Sequence, residues 1–276
     1  MPNQGSAEAM EALKLLFGAP KYVIGMVHLR PLPGSPRWDA GMREVLERAV
    51  ADARALEGGG LDGLIVENFG DVPFCRGRVE AHTVSAMTLA VTAVRETVGI
   101  AVGVNVLRND SGSALAIAVV TGASFIRVNV HVGAMVTDQG IVEGNAQDTV
   151  RYRRELGADV KIFADMMVKH AVPQGGQTIE QVARDTAYRG LADALIVTGS
   201  GTAEPTDLED VVRTRSAVPD VPVLVGSGVH EGNVAELSAL ADGVIVGTSL
   251  TQDGITTYPV DRTRVARLMA IVRESR

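Results

Sequence analysis

Polar side chains stand where short apolar runs end. His28 closes YVIGMVHL, Glu67 and Asn68 close DGLIVEN, Asn105 sits late in IAVGVNVL, Asn129 and His131 end FIRVNVH, and Asp165 interrupts KIFADMMV. Carboxylates and imidazoles so placed can move protons, and carboxamides can orient hydroxyl groups. Asp165 leads this set. A carboxylate at a run's end with Lys169 four residues on suits a general base, a general acid or a metal ligand. His28 or Glu67 is its expected partner, with Asn105 and Asn129 holding hydroxyls. If a divalent cation binds, Glu67 and Asp165 are its expected ligands, and oxygen ligation favours Mg²⁺ or Mn²⁺.

A structural role is the competing account for several of these residues. A period of two puts Arg127, Asn129 and His131 on one face and Asp165, Met167 and Lys169 on another. Arg127 lies among apolar residues and needs a buried carboxylate, so a pair with Glu67 or Asp165 is expected before a substrate contact. His28 is as well suited to a hydrogen-bonded core position as to a site before LRPLPGSPRW. Lys169 and His170 are alternatively residues of the cavity mouth, and His82, within VEAHTVSAMTLAV, is expected to be structural.

A second chemistry comes from glycine. PVLVGSGVHEGNVAEL (222–237) is an apolar run that stops at Gly226-Ser227-Gly228 and restarts as a helix, and DGVIVGTSL (242–250) repeats the design with Gly247, Thr248 and Ser249. TGSGTAEP adds Gly199, Ser200, Gly201 and Thr202. Small residues at such turns let backbone N–H groups face an anion. The plainer account is steric need at a tight turn.

These residues require a frame that gathers run ends. Eight runs alternate with amphipathic helical stretches, beginning at residues 22, 62, 100, 125, 161, 194, 221 and 242. Their β-branched richness and near-continuous hydrophobicity indicate parallel strands covered on both sides. Eight βα units predict a single (β/α)8 TIM barrel spanning 1–276, with active groups at the C-terminal strand ends and a phosphate site after the last two strands. A doubly wound open sheet is the alternative, but no GxGxxG follows the first run. Residues 1–18 form an extension whose helix, with Met10, Leu13, Leu15, Leu16 and Phe17, is expected to cover the barrel bottom. The last helix carries Arg262, Arg264, Arg267, Arg273 and Arg276, yet Val265, Leu268, Met269 and Val272 should face the core.

Composition sets limits. The 276 residues are 46% hydrophobic with a formal charge of −7, so no global basic field draws nucleic acid, and any anion must be held locally. Cys75 is the sole cysteine, which excludes an internal disulfide or a multi-cysteine metal site and suits a reducing cytoplasm. The N-terminus lacks the pattern of a signal peptide, and no run reaches membrane-spanning length.

GMVHLRPLPGSPRW (25–38), GVNVLRND (103–110), FIRVNVHVGAMVTDQGIVEG (125–144) and VKIFADMMVKHAVP (160–173) resemble the signature segments of the BtpA/SgcQ family, with similarity across nearly the whole chain. The resemblance implies a TIM barrel of the phosphate-binding kind and a name drawn from photosystem I biogenesis. It also implies kinship with proteins encoded beside sugar-metabolism genes, some given nucleosidase-like labels. One departure is His131-Val132-Gly133-Ala134-Met135, where the family pattern has threonine and an aromatic residue.

The expectation is a cytoplasmic enzyme acting on a small phosphorylated metabolite, a sugar phosphate or nucleotide-like compound. Glycosidic cleavage, isomerisation and retro-aldol chemistry all suit the polar set, and a Schiff base on Lys169 ranks behind them. The alternative is an accessory factor that keeps only a ligand site. Loop 132–147 is expected either to close over the ligand or to meet a second subunit of a homo-oligomer.

Overall fold

The chain folds as a closed barrel of eight parallel strands, seen in a computed structural model that describes residues 4–39, 41–166, 171–199 and 206–276. The barrel strands are β1 (Tyr22–His28), β2 (Gly63–Glu67), β3 (Ala101–Asn105), β4 (Phe125–Val128), β7 (Lys161–Asp165), β9 (Ala194–Val197), β10 (Val223–Val225) and β11 (Gly243–Val246). They close in the order β1-β11-β10-β9-β7-β4-β3-β2. Each predicted run contains one of them. Among the described residues the runs overshoot at their C-terminal ends, as at Asn129 and Val130 beyond β4.

Alternation decides what faces the axis. Tyr22, Ile24 and Met26 of β1 cluster inside with Phe125, Phe163, Ile196, Leu224 and Ile245. Val23, Val27, Leu64 and Val66 point outward into a larger core beneath the helices. Those helices include α2 (Met42–Gly59), α3 (Ala81–Arg95), α4 (Ser111–Thr121) and α9 (Arg262–Ser275). α9 turns Val265, Leu268, Met269 and Val272 inward as expected. A Cβ on Gly103 would lie 2.3 Å from the Phe125 ring, so the packed interior requires glycine there.

Helix α1 (Gln4–Phe17) covers the N-terminal end of the barrel. Leu13 and Phe17 are buried, whereas Leu15, expected on the same side, points to solvent. Phe17 stacks on Tyr22 at 4.4 Å and meets Phe125 edge-on at 5.6 Å, and Phe125 stacks on Phe163 at 4.6 Å. Four aromatic rings therefore plug the bottom. Among the described residues no helix is long and apolar enough to cross a membrane.

The opposite rim carries an element that the sequence leaves as a loop. Residues 132–147 hold a hairpin, β5 (Ala134–Thr137) and β6 (Gly140–Glu143), and β5 also pairs antiparallel with β8 (Ala171–Pro173). The hairpin's neck is closed by Gly144 N–H donating to the Gly133 carbonyl at 2.7 Å. Asn109 holds the neck to the barrel, donating to Val130 O and accepting from Val130 N, each at 2.8 Å.

Because Phe17 is the ring shared by α1 and the barrel floor, Phe17→Ala should destabilise the protein by about 3–5 kcal/mol. Urea denaturation of the two proteins checks this, with a loss under about 1 kcal/mol showing that α1 is not an integral cover.

Candidate functional site

Strand register gathers the polar residues. His28 lies opposite Glu67, and Glu67 lies opposite Asn105, so the three form a row across the ends of β1, β2 and β3. All three occupy inward positions of the alternation that buries Ile24 and Ile65. Asn105 Nδ2 donates to Glu67 Oε2 at 2.6 Å, and His28 Nε2 is 3.9 Å from Glu67 Oε1. The His28 ring packs against Phe69 at 4.7 Å.

Across the floor, Arg127 and Asp165 make a two-point pair. Arg127 Nε and Nη2 donate to Asp165 Oδ1 and Oδ2 at 3.1 and 3.0 Å, and Asn129 Nδ2 donates to Oδ2 at 2.9 Å. Arg127 and Asp165 are 5% and 2% exposed, so this pair is almost wholly buried. Burial opposes the guanidinium charge, but Asp165 and then Glu67 outweigh it and hold the Arg127 pKa above its ordinary value. Of the two carboxylates the sequence offers to Arg127, Asp165 is the one bonded.

The same bonds fix Asn129. A carboxylate only accepts, so the nitrogen of the Asn129 amide must face Asp165 and its oxygen must face away. That Oδ1 is buried and has no hydrogen-bond partner among the described residues. It is an acceptor held in place for a donor.

These groups share one cavity of about 500 Å³ with the glycine turns. His28, Glu67, Arg127, Asn129 and Asp165 line it together with Gly226, Ser227, Gly228, Gly247 and Thr248. Asn105 stands behind Glu67. Gly228 has φ +68°, a left-handed turn that favours glycine. The steric account has its own support at Gly226, where a Cβ would lie 2.4 Å from Ile196 Cγ2. Ser249 Oγ donates to Val229 O at 2.7 Å, which ties the turn after β11 to the turn after β10. Gly199 N–H donates to Ser227 Oγ at 2.6 Å, so its amide serves the turn itself. After β10 no helix follows at once: α8 (Val234–Leu240) begins only at residue 234, and after β11 a short 3-10 turn (Thr248–Leu250) takes the helix's place. Lys169, His170, Ser200, Gly201 and Thr202 lie outside the described residues.

The two expected metal ligands, Glu67 and Asp165, line the same cavity. Both Asp165 oxygens are already taken, and among the described residues no group of three or more His, Cys, Asp or Glu could hold a metal ion.

The cavity also draws on residues that run-end reasoning passes over. Arg108 lines it from just beyond β3, Asp138 from the hairpin tip, and His230 from the turn after β10. Arg108 stands within the GVNVLRND segment, but past the strand end where polarity is unremarkable. His131, grouped with Asn129 by period, is instead fully buried at the hairpin's root, its Nε2 2.8 Å from Gly190 O.

An eight-stranded parallel barrel with its polar cavity at the C-terminal strand ends is a TIM barrel, the architecture of many small-molecule enzymes. The BtpA family profile matches residues 19–274, and the chain belongs to the BtpA family. It is 50% identical over 252 residues to the photosystem I biogenesis protein BtpA of a Synechocystis species, covering 91% of this chain and 88% of that one. It is 35% identical over 270 residues to the putative sgc region protein SgcQ of Escherichia coli, covering 97% and 100%. Among solved structures, phosphoribosyl anthranilate isomerase from Thermus thermophilus shares the fold, with a TM-score of 0.56, 12% identity and coverage of 92% and 100%.

Two outcomes follow from the buried charges. Asp165→Asn should cost about 3–5 kcal/mol, because it leaves the Arg127 guanidinium sealed without its anion; a melting temperature unchanged from wild type would contradict that. Burial, with Arg153 adding to it, holds the His131 imidazole below its ordinary 6.5, against Gly190 O and Asp193. The unfolded chain therefore binds a proton first as pH falls through 6.5, and stability is lost below that point by up to about 1.4 kcal/mol per pH unit. Stability measured from pH 7.5 to 5 should fall less steeply in His131→Gln.

Proposed function

We propose that this protein is an enzyme that acts on a small phosphorylated metabolite bearing hydroxyl groups. The observation that carries this reading is the single cavity in which two glycine turns face a row of acid–base and carboxamide groups. The phosphate docks at Gly226–Gly228 and Gly247–Thr248, where backbone amides other than that of Gly226, which donates to Val197 O at 2.8 Å, supply the donors. A hydroxyl of the ligand donates to Asn129 Oδ1, the acceptor fixed by Asp165.

Acid–base work falls to Glu67 and His28. Asp165, which the sequence offers first, has its carboxylate engaged by Arg127 and Asn129, so its role in this reading is to hold Asn129 in place. Glu67 is oriented by Asn105 and keeps Oε1 toward His28. Glu67 can take a proton from one atom of the ligand while a protonated His28 gives its own to another, the acid–base pairing shared by isomerisation and by cleavage next to a carbonyl or at a glycosidic bond. The cavity volume suits a ligand the size of a sugar phosphate or nucleotide.

The biogenesis name of the cyanobacterial relative supports a second reading, an accessory factor with a ligand site. A role confined to a photosystem leaves the Escherichia coli relative unaccounted for, and a catalytic row is costly to bury for assembly alone.

Incubation with a library of sugar and nucleoside phosphates should reveal turnover. Glu67→Gln should lower that rate by about 10²–10⁴ while leaving binding intact, and Gly228→Asp should abolish binding by placing bulk and like charge at the phosphate. Binding without turnover in the wild type would favour the accessory factor. Unchanged binding in Gly228→Asp would put the phosphate elsewhere.

A further inference from the structure

The chain holds five phenylalanines and is only 4% aromatic. Phe17, Phe125 and Phe163 plug the barrel bottom. The remaining two, Phe69 and Phe74, both line the cavity at the opposite end, with Val72 between them in sequence and Leu107 from the segment after β3. Phe69, Val72 and Phe74 are half-buried, so apolar surface stays open on the cavity side. This wall follows β2 and β3, whereas the glycine turns follow β10 and β11. In the closed ring β1, which carries His28, stands between β2 and β11.

The wall is fixed by its own hydrogen bonds. Gly70 N–H donates to Leu29 O at 3.1 Å, Leu32 N–H donates to Asp71 Oδ1 at 2.8 Å, and Asn68 Nδ2 donates to Asp71 Oδ2 at 3.0 Å. Asn68 Oδ1 accepts from Leu107 N–H at 2.7 Å, which joins the segment after β2 to the segment after β3. A Cβ on Gly70 would lie 2.4 Å from Pro31 N, so the chain beside Phe69 runs hard against its neighbour. Apolar surface held open in a preformed cavity favours the apolar part of a ligand. A plain sugar phosphate brings little flat apolar surface to such a wall, whereas a ring can lie offset or edge-on against phenylalanine. None of the four side chains carries a hydrogen-bonding group, so they hold a ring by its shape and faces.

We propose that Phe69, Val72, Phe74 and Leu107 form a subsite for an aromatic ring, and that the ligand joins this ring to a phosphorylated sugar. The ring lies against the phenylalanines, the hydroxyls over the polar row and the phosphate at the glycine turns. This inference rests on the phosphate reading above and deepens it: the substrate class becomes aryl or heteroaryl sugar phosphates, and a plain sugar phosphate fills only part of the cavity.

Calorimetric titration with ribose 5-phosphate, adenosine 5′-monophosphate, phenyl riboside 5-phosphate and adenosine tests it. The wild type should bind at least one ring-bearing phosphate about 10- to 100-fold more tightly than ribose 5-phosphate. Phe74→Ala should cut that ratio by about tenfold. Phe74→Leu keeps apolar bulk without the ring and should lose part of the ratio, a readout that remains if the alanine variant fails to fold. Equal binding of the three phosphates by the wild type, or a ratio undiminished in both variants, would overturn the ring subsite while leaving the phosphate site standing. Adenosine bound as tightly as its monophosphate would overturn the phosphate reading, and the substrate class with it. Binding of none of the probes would overturn both.

Discussion

A guanidinium inside a barrel must be answered by a carboxylate, and that requirement organises the upper floor of this one. Arg127 of β4 pairs with Phe163 of the adjacent β7, and Asp165 lies two residues further along that strand, so the two meet diagonally. Their two-point contact uses up Asp165 and leaves one lone-pair direction for Asn129 Nδ2. Asn129 is thereby turned, and its oxygen becomes a fixed acceptor. One ion pair thus sets the orientation of a neutral group that has no charge of its own to orient it.

The rest of the floor follows from register and alternation. His28, Glu67 and Asn105 are level with one another because three parallel strands pair without offset at that height. The same period of two that turns them inward also turns in Gly226 and Gly247, so the polar row and the small-residue turns share a cavity. Below them aromatic rings fill the axis. The barrel is a solid post with its polar cavity at one end.

Much of this was legible in the residues. Eight β-branched runs are visible because parallel strands buried on both faces need continuous hydrophobicity, and run-end polarity is visible because, Arg127 apart, the run interiors are apolar. Partnership was harder to read. That Arg127 chooses Asp165 over Glu67 depends on strand stagger, which sequence spacing does not encode. The rim hairpin was missed for a different reason: AMVT and GIVE are too short to declare a strand, and their third partner lies some thirty residues away. Arg108 escaped notice because a charged residue past a strand end reads as an ordinary loop cation until the cavity is seen to reach it.

The neck at Gly133 and Gly144 gives the rim sheet a particular independence. The chain leaves the barrel and returns to it at nearly one point, so the hairpin's length can change over evolutionary time with little disturbance to the strands below. Its freedom is limited from the other side. β5 shares its hydrogen bonds with β8, which belongs to the next barrel unit, so an insertion in one rim segment obliges a matching change in the other. The two rim segments form one three-stranded sheet, so their lengths are coupled.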